Sequence, residues 1–186
     1  MGHHTFDADR ADKLEEAQRR YRFLSAEELL WALSPDGDET VADLGSGTGF
    51  YTDDVAPTVD HVYAVDIQDA MHDYYRKKGV PENVELVTSG VDDLPLDTDS
   101  LDAAFSTMTY HEFANKQALS ELSRVLTSQG TLVIVDWAAS GSGSHGPPVD
   151  ERYSATETAN ALRQHGFTVE FEAVRPETFL VTASAE

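Results

Sequence analysis

The stretch Val41–Phe50, VADLGSGTGF, sets an aspartate and three alternating glycines behind a short apolar run. A glycine turn between a strand and a helix lets backbone N–H groups approach a nucleotide-like ligand, because no side chain intervenes. The spacing separates ligand classes. A dinucleotide turn, G-x-G-x-x-G, would carry its third glycine at position 50. That position is Phe50, and the third glycine, after Gly45 and Gly47, comes one residue early at Gly49. Asp43 at the end of the run is unhelpful to a pyrophosphate and suited to a cationic amino group. Both features point away from NAD. Asp66 closes the next apolar run, VYAVDI. A carboxylate there can hydrogen-bond both ribose hydroxyls, although a strand-end aspartate also serves as a turn or helix cap.

A second group of residues could act on an acceptor. FSTMTYHEF (105–113) follows a further apolar run and places Tyr110, His111 and Glu112 in sequence. His111 titrates near neutrality and is the preferred general base or acceptor-orienting group. It could equally pack over a ligand or cap a helix starting near Phe113. Glu112 reads as a helix-start acid favoured by the dipole. Tyr110, Phe50 and Tyr21 offer π faces to a cation, though aromatics more often fill a core. Trp137 borders the expected acceptor pocket, and Arg152 is expected to pair with a surface acid rather than hold an anion. The histidines show no metal-ligand spacing, so no metal site is expected, and His72 and His165 are expected on solvated helix faces. With no cysteine in the chain, disulfides and thiol chemistry are excluded.

The elements that position these residues follow from apolar periodicity. Strand-like and helix-like segments alternate from residue 39 to about 165, which predicts an α/β fold with a mainly parallel sheet. Strands are expected at 40–44, 61–67, 84–88, 102–107 and 131–137, with TLVIVDW as a central strand buried on both faces. Helices are expected at 48–56, 69–78 and 113–126, preceded by helices at 10–20 and 26–33. Ser25 with Glu28, and Ser154 with Glu157, have capping-box spacing. The tail offers two β-rich runs, FTVEFEAV and ETFLVTAS, suited to an antiparallel pair at the sheet edge. We expect one domain over 1–186: an amino-terminal helical cap (1–35), a ligand-binding core (36–137), a loop (138–150) that is either a lid or a plain connection, and a carboxy-terminal helix with edge strands (151–186).

Charge bounds the partners. The chain has 186 residues, 34 Asp and Glu against 13 Lys and Arg, and a net charge of −21. Such a surface repels nucleic acid and anionic membranes, so neither is an expected partner. The acids are spread along the chain while lysine and isoleucine are scarce, a pattern like that of cytosolic proteins from salt-accumulating halophiles. No apolar run approaches a bilayer-spanning length, and MGHHTFDADRADK is neither a signal nor a transit peptide, which predicts a cytoplasmic protein. His3-His4 reads as a tag remnant or as native residues, and the sequence leaves the oligomeric state open.

As a set, D-L-G-S-G-T-G, V-D-I, D-D-L-P-L and ELSRVL with G-TLVIVDW resemble the class I S-adenosylmethionine-dependent methyltransferases (methyltransferase domain type 11), in the branch that includes ubiquinone and menaquinone biosynthesis. The resemblance covers residues 39–137. It implies a Rossmann-like seven-stranded sheet, mainly parallel with an antiparallel last strand and helices on both faces. Carried over by position, Asp43 would face the methionine amino group and Gly45, Ser46, Gly47 and Gly49 would form the loop around the amino-acid moiety. Asp66 would take the ribose, with Ile67 and Met71 near the adenine. Thr107 and Met108 would flank the cofactor. In the third motif Gly90 and Val91 stand where the family commonly has an acidic residue and a small one, so Asp92 is the candidate to replace the acid. Ser128-Gln129-Gly130 departs from the usual Pro-Gly-Gly turn. The expected activity is methyl transfer from S-adenosyl-L-methionine to a small-molecule acceptor, releasing S-adenosyl-L-homocysteine. The alternatives are a non-catalytic binder of these ligands and, less favoured, an NAD-dependent enzyme. The Asn-Pro-Pro-aromatic signature of base amino-group methylation is missing after the fourth strand.

Overall fold

Residues 8–186 are described by the computed structural model, so His3-His4 lies outside the described residues. Seven strands form one sheet: β1 (Thr40–Leu44), β2 (His61–Asp66), β3 (Val84–Thr88), β4 (Leu101–Thr107), β5 (Leu126–Trp137), β6 (Phe167–Val174) and β7 (Thr178–Ala185). Their order is β3-β2-β1-β4-β5-β7-β6. β3, β2, β1, β4 and β5 pair in parallel, and β7 runs antiparallel between β5 and β6. The expected fold is therefore observed, with the last strand inserted one place from the edge. Successive connections leave in opposite directions from β1 and β4, and a crevice opens there at the carboxyl ends of the strands.

Helices flank both faces: α1 (Ala17–Phe23), α2 (Ala26–Leu33), α3 (Phe50–Val55), α4 (Asp69–Lys78), α5 (Tyr110–Phe113), α6 (Lys116–Val125) and α7 (Ala155–Arg163). Two apolar clusters result. One gathers Leu119, Leu122, Leu162 and Phe167, the other Leu29, Tyr51, Val55 and Phe105. Leu132–Trp137 are all buried, as a strand covered on both faces requires.

Three boundaries differ from expectation by more than two residues, each for a local reason. The helix expected at 10–20 is a 3-10 stretch, Ala8–Glu15, followed by α1, because Glu16 has ψ 86 and breaks the run. The helix expected from Phe113 starts at Lys116. Asn115 caps it by accepting from the Ala118 amide at 3.0 Å, and Ala114 (ψ 71) leaves α5 as a separate turn. β5 begins at Leu126, directly after α6, and Gln129 takes φ 67 inside it. Ser154 and Glu157 form the full capping box, whereas Ser25 only accepts from the Glu28 amide, because the Glu28 carboxylate is engaged by Arg175.

Candidate active site

A cavity of about 590 Å³ occupies the crevice, a volume typical of small-molecule sites. Its first wall is the glycine turn. The Gly45 and Ser46 amides each donate to the Val65 carbonyl at 2.8 Å, folding the turn back over β2. Gly45 has φ 79, and a Cβ there would stand 2.3 Å from Thr109 Cγ2, so only glycine lets the chain after β4 come this close. Gly49 (φ 78) would place a Cβ 2.1 Å from the Tyr75 ring of α4. It therefore packs against that helix and does not line the cavity, unlike Gly45, Ser46 and Gly47. Asp66 does line it. One carboxylate oxygen accepts from the Gly47 amide and the other from the Gln68 amide, both at 2.8 Å, and each oxygen keeps a lone pair for a hydroxyl. Burial raises its pKa, against which these two bonds pull down.

Asp43 stands one layer behind this wall rather than in it. It is 1% exposed; one oxygen accepts from the Thr52 hydroxyl at 2.6 Å and Oδ1 has no hydrogen-bond partner. Burial pushes its carboxyl up to about 7, with Thr52 and Arg20 opposing. Arg20 of α1 lines the cavity with its guanidinium over the rings of Tyr51 (4.8 Å) and Phe50 (5.5 Å), and its Nε is buried without a partner. Ser46 Oγ is likewise unpartnered. A buried acceptor, a half-buried guanidinium whose Nε has no partner among the described residues, and an unpartnered hydroxyl cluster around the turn, and they match the amino and carboxylate groups of an amino-acid ligand. At the opposite end Ile67, 61% exposed, Met71, Gly90, Val91 and Asp92 form a partly apolar slot for a flat ring.

Past β4 the wall changes character. Thr107 and Met108 line the cavity, and Met108 holds φ 62 with its amide donating to the Val135 carbonyl at 2.7 Å. Such a conformation in a non-glycine residue costs about 1–3 kcal/mol and concentrates at functional sites. His111 follows on α5. Its amide donates to Asp136 Oδ2 at 2.7 Å, and its Nδ1 lies 3.0 Å from both Asp136 oxygens. An ionised carboxylate only accepts, so Nδ1 carries the proton and Nε2 is left to the cavity side. Burial lowers the His111 pKa, but the bond to Asp136 and the charges of Asp136 and Glu112 outweigh it, and the net shift is upward. Glu112 also lines the cavity, 4.0 Å from His111 Nε2. Burial, with Asp66 and Asp136 adding, pushes its carboxyl up to about 7.

Several expectations are corrected. Tyr110 does not reach the cavity; its ring is buried against Phe113 and Tyr153 at 5.5 and 5.7 Å. Tyr21 is also outside it, donating from its hydroxyl to Asp54, whereas Phe50 and Trp137 are in the wall. Among the described residues Arg152 forms no ion pair with a surface acid. It is buried and donates to the carbonyls of Ala138, His145 and Pro147. His72 is fully buried, 3.0 Å from the Thr88 hydroxyl, not on a solvated face. The residues missed were Asp136, Arg20, Thr109 and the wall position of Glu112. Only Asp136 carried a signal, as the lone acid in TLVIVDW. Gly146, Pro147 and Pro148 of the 138–150 loop line the cavity opposite Phe23 of α1. Among the described residues no group of His, Asp and Glu could hold a metal, and no helix is long and apolar enough to cross a membrane.

Residues 42–134 match the family described as "Methyltransferase domain". The structure superposes on that of a SAM-dependent methyltransferase from Aquifex aeolicus with a TM-score of 0.88 and 30% identity, covering 98% of this chain and 100% of the other. It is similar in fold to the methyltransferase in a complex with the Haloferax volcanii Trm112 methyltransferase activator (TM-score 0.80, 20% identity, 95% and 94% covered). In sequence it is 28% identical to the demethylmenaquinone methyltransferase of Clavibacter sepedonicus over 82% of this chain and 56% of that one. The chain spans about half the length of the curated relatives it matches.

Proposed function

This chain belongs to the methyltransferase-domain family, a SAM-dependent methyltransferase by its relatives, and from that premise we propose that it methylates a small-molecule acceptor in the cavity beside His111. One observation carries the reading: a single cavity joins the glycine turn and Asp66 to the imidazole edge of His111. S-adenosylmethionine, when bound, supplies an electrophilic methyl group whose bond to sulfur breaks with the electron pair returning to sulfur, leaving S-adenosylhomocysteine. The Arg20 guanidinium, whose Nε is unpartnered, and the Ser46 hydroxyl would receive the amino-acid carboxylate, and Asp43 would supply the negative field for the amino group from behind the turn. Asp66 would orient the ribose hydroxyls, and Ile67, Met71 and Val91 would hold the adenine, with Asp92 the candidate for its amino group.

Methyl transfer is an in-line displacement, so positioning of the acceptor contributes much of the rate. Thr107 and Met108 set that line. His111 Nε2 takes the acceptor's proton, and Asp136 is a positioning residue that holds the ring in the tautomer able to do so. Trp137, Phe23 and the prolines of the 138–150 loop exclude water, giving that loop and α1 the role of a lid. The uniformly acidic surface suits concentrated internal salt, and we place the protein in the cytoplasm of a halophilic archaeon.

The test is calorimetric titration of the chain with S-adenosylhomocysteine, followed by an acceptor screen read as S-adenosylhomocysteine release. His111→Ala should keep ligand affinity and lose turnover. Tight binding of NAD with no binding of S-adenosylhomocysteine would overturn the proposal.

A further inference from the structure

The cations of the cavity wall come from one segment, whereas carboxylates stand at both ends: Asp66 and Asp92 line the cofactor end. On the side of the glycine turn the amino-terminal segment contributes Lys13, Arg19 and Arg20. Over the ends of β4 and β5 the ionisable wall residues are His111, Glu112 and Glu151, and Asp136 lies directly beneath His111. Arg152 is the cation nearest in sequence to this end, yet it is not in the wall. It lies under Trp137, its guanidinium carbon 5.6 Å from the ring centre, and its Nε and Nη2 donate to the Pro147 carbonyl at 2.9 and 2.8 Å. Among the described residues an anionic acceptor would therefore meet two carboxylates and no lysine or arginine in that part of the wall, the Arg22 guanidinium lying over Phe23 at 5.6 Å without lining the cavity. Beside Gly146, Pro147 and Pro148 the wall holds two rings, Phe23 and Trp137, which meet edge to face at 4.9 Å, and the His145 ring packs tilted on Phe23 at 5.3 Å. Ring faces of this kind attract cations and flat apolar bodies.

From the confinement of the wall's cations to the amino-terminal segment we infer that the acceptor is an amine on an apolar, ring-sized body, held as an ammonium between Glu112 and Glu151 against Trp137. The inference rests on the methyl-transfer reading and names its substrate class. The ammonium gives one N–H proton to His111 Nε2 and becomes a neutral amine with a free lone pair. That lone pair forms the new bond to the methyl carbon as the carbon–sulfur pair returns to sulfur, and the product leaves as an N-methylammonium. Glu112, half-buried with its carboxyl pushed up to about 7, is poised to become ionised when a cation arrives beside it.

Three probes of nearly equal shape separate the charge classes: phenethylamine, 2-phenylethanol and 3-phenylpropionate. Each is titrated into the full chain saturated with S-adenosylhomocysteine at high salt, with Trp fluorescence and calorimetry as readouts. Phenethylamine should bind at least about tenfold more tightly than either other probe. Glu112→Gln and Glu151→Gln should each reduce that preference severalfold while leaving S-adenosylhomocysteine affinity unchanged. The inference is overturned if the alcohol or the carboxylate binds as well as the amine, or if the amine does not bind. Failure of S-adenosylhomocysteine itself to bind would instead sink the methyl-transfer reading.

Discussion

Replacing Asp43 by asparagine should flatten the fall in stability of the ligand-free protein between about pH 5 and about pH 7 while weakening its hold on the cofactor. The carboxyl is fully buried, Oδ1 has no partner, and its pKa is raised from an ordinary 3.8 to about 7. A raised folded-state value means that the stability linked to this group is present in acid and lost as pH climbs through the folded value. Between about pH 5 and about pH 7 the unfolded chain is already ionised while the folded one still sheds its proton. Two pH units at 1.36 kcal/mol each give a loss of about 2.7 kcal/mol, an upper bound because burial relaxes when charge appears. Asparagine cannot ionise, so the variant should lack that slope. Its amide would still meet the empty side of Oδ1, which costs about 1–3 kcal/mol at every pH and lowers the whole curve without tilting it. Urea unfolding of both proteins at several pH values, at fixed salt, reads the slopes directly. Titration with S-adenosylhomocysteine should show the variant binding about tenfold more weakly, since the negative charge behind the turn that faces the amino group is gone. Equal slopes in the two proteins would refute the reasoning, whatever their absolute stabilities.

Two further substitutions probe the two ends of the cavity. Asp136→Asn removes the charge that holds His111 upward, so the rising limb of the pH–rate profile should move down toward the ordinary histidine range. Turnover should fall roughly 10- to 150-fold, as expected for loss of one charge-assisted bond of about 1.5–3 kcal/mol, while S-adenosylhomocysteine affinity is kept; a limb that stays in place would exclude the pairing. Gly45→Ala forces a left-handed alanine costing about 1–2 kcal/mol before its Cβ meets Thr109, so both the melting temperature and cofactor affinity should drop, and unchanged affinity would show that the turn has room to give.

Legibility in the sequence followed the range of the forces involved. β1, β3, α2 and α4 have the bounds their periodicity predicts, because strand and helix repeats are local properties. Asp66 and the turn from Gly45 to Gly47 were legible too, since a strand–glycine–helix unit is local in the same sense. Ring and charge directions were not. Met71 and Tyr75 show the buried stripe of α4, but His72 is buried as well, with a hydroxyl partner in Thr88, across on β3. Tyr110 sits beside His111 in sequence and faces the opposite way, into Tyr153 near α7. Arg152 finds its partners in loop carbonyls that no periodicity announces.

The His111–Asp136 pair shows how the sheet itself places the chemistry. Thr107 and Val135 are paired in the β4–β5 register, so the chain leaving β4 rises next to Asp136, and the left-handed Met108 bonded to the Val135 carbonyl turns it inward. On its other side Asp136 is paired with Phe179 of β7. Without that antiparallel insertion β5 would be an edge strand, and Asp136 would be open to water there. With it, the carboxylate is 0% exposed, and its two oxygens are engaged by the His111 amide and imidazole and by the Trp137 amide at 2.8 Å. A buried, fully engaged carboxylate can hold an imidazole more rigidly than a surface one, because solvent does not compete for it. The placement of β7 beside β5 is thus part of the candidate active site, although none of its residues lines the cavity.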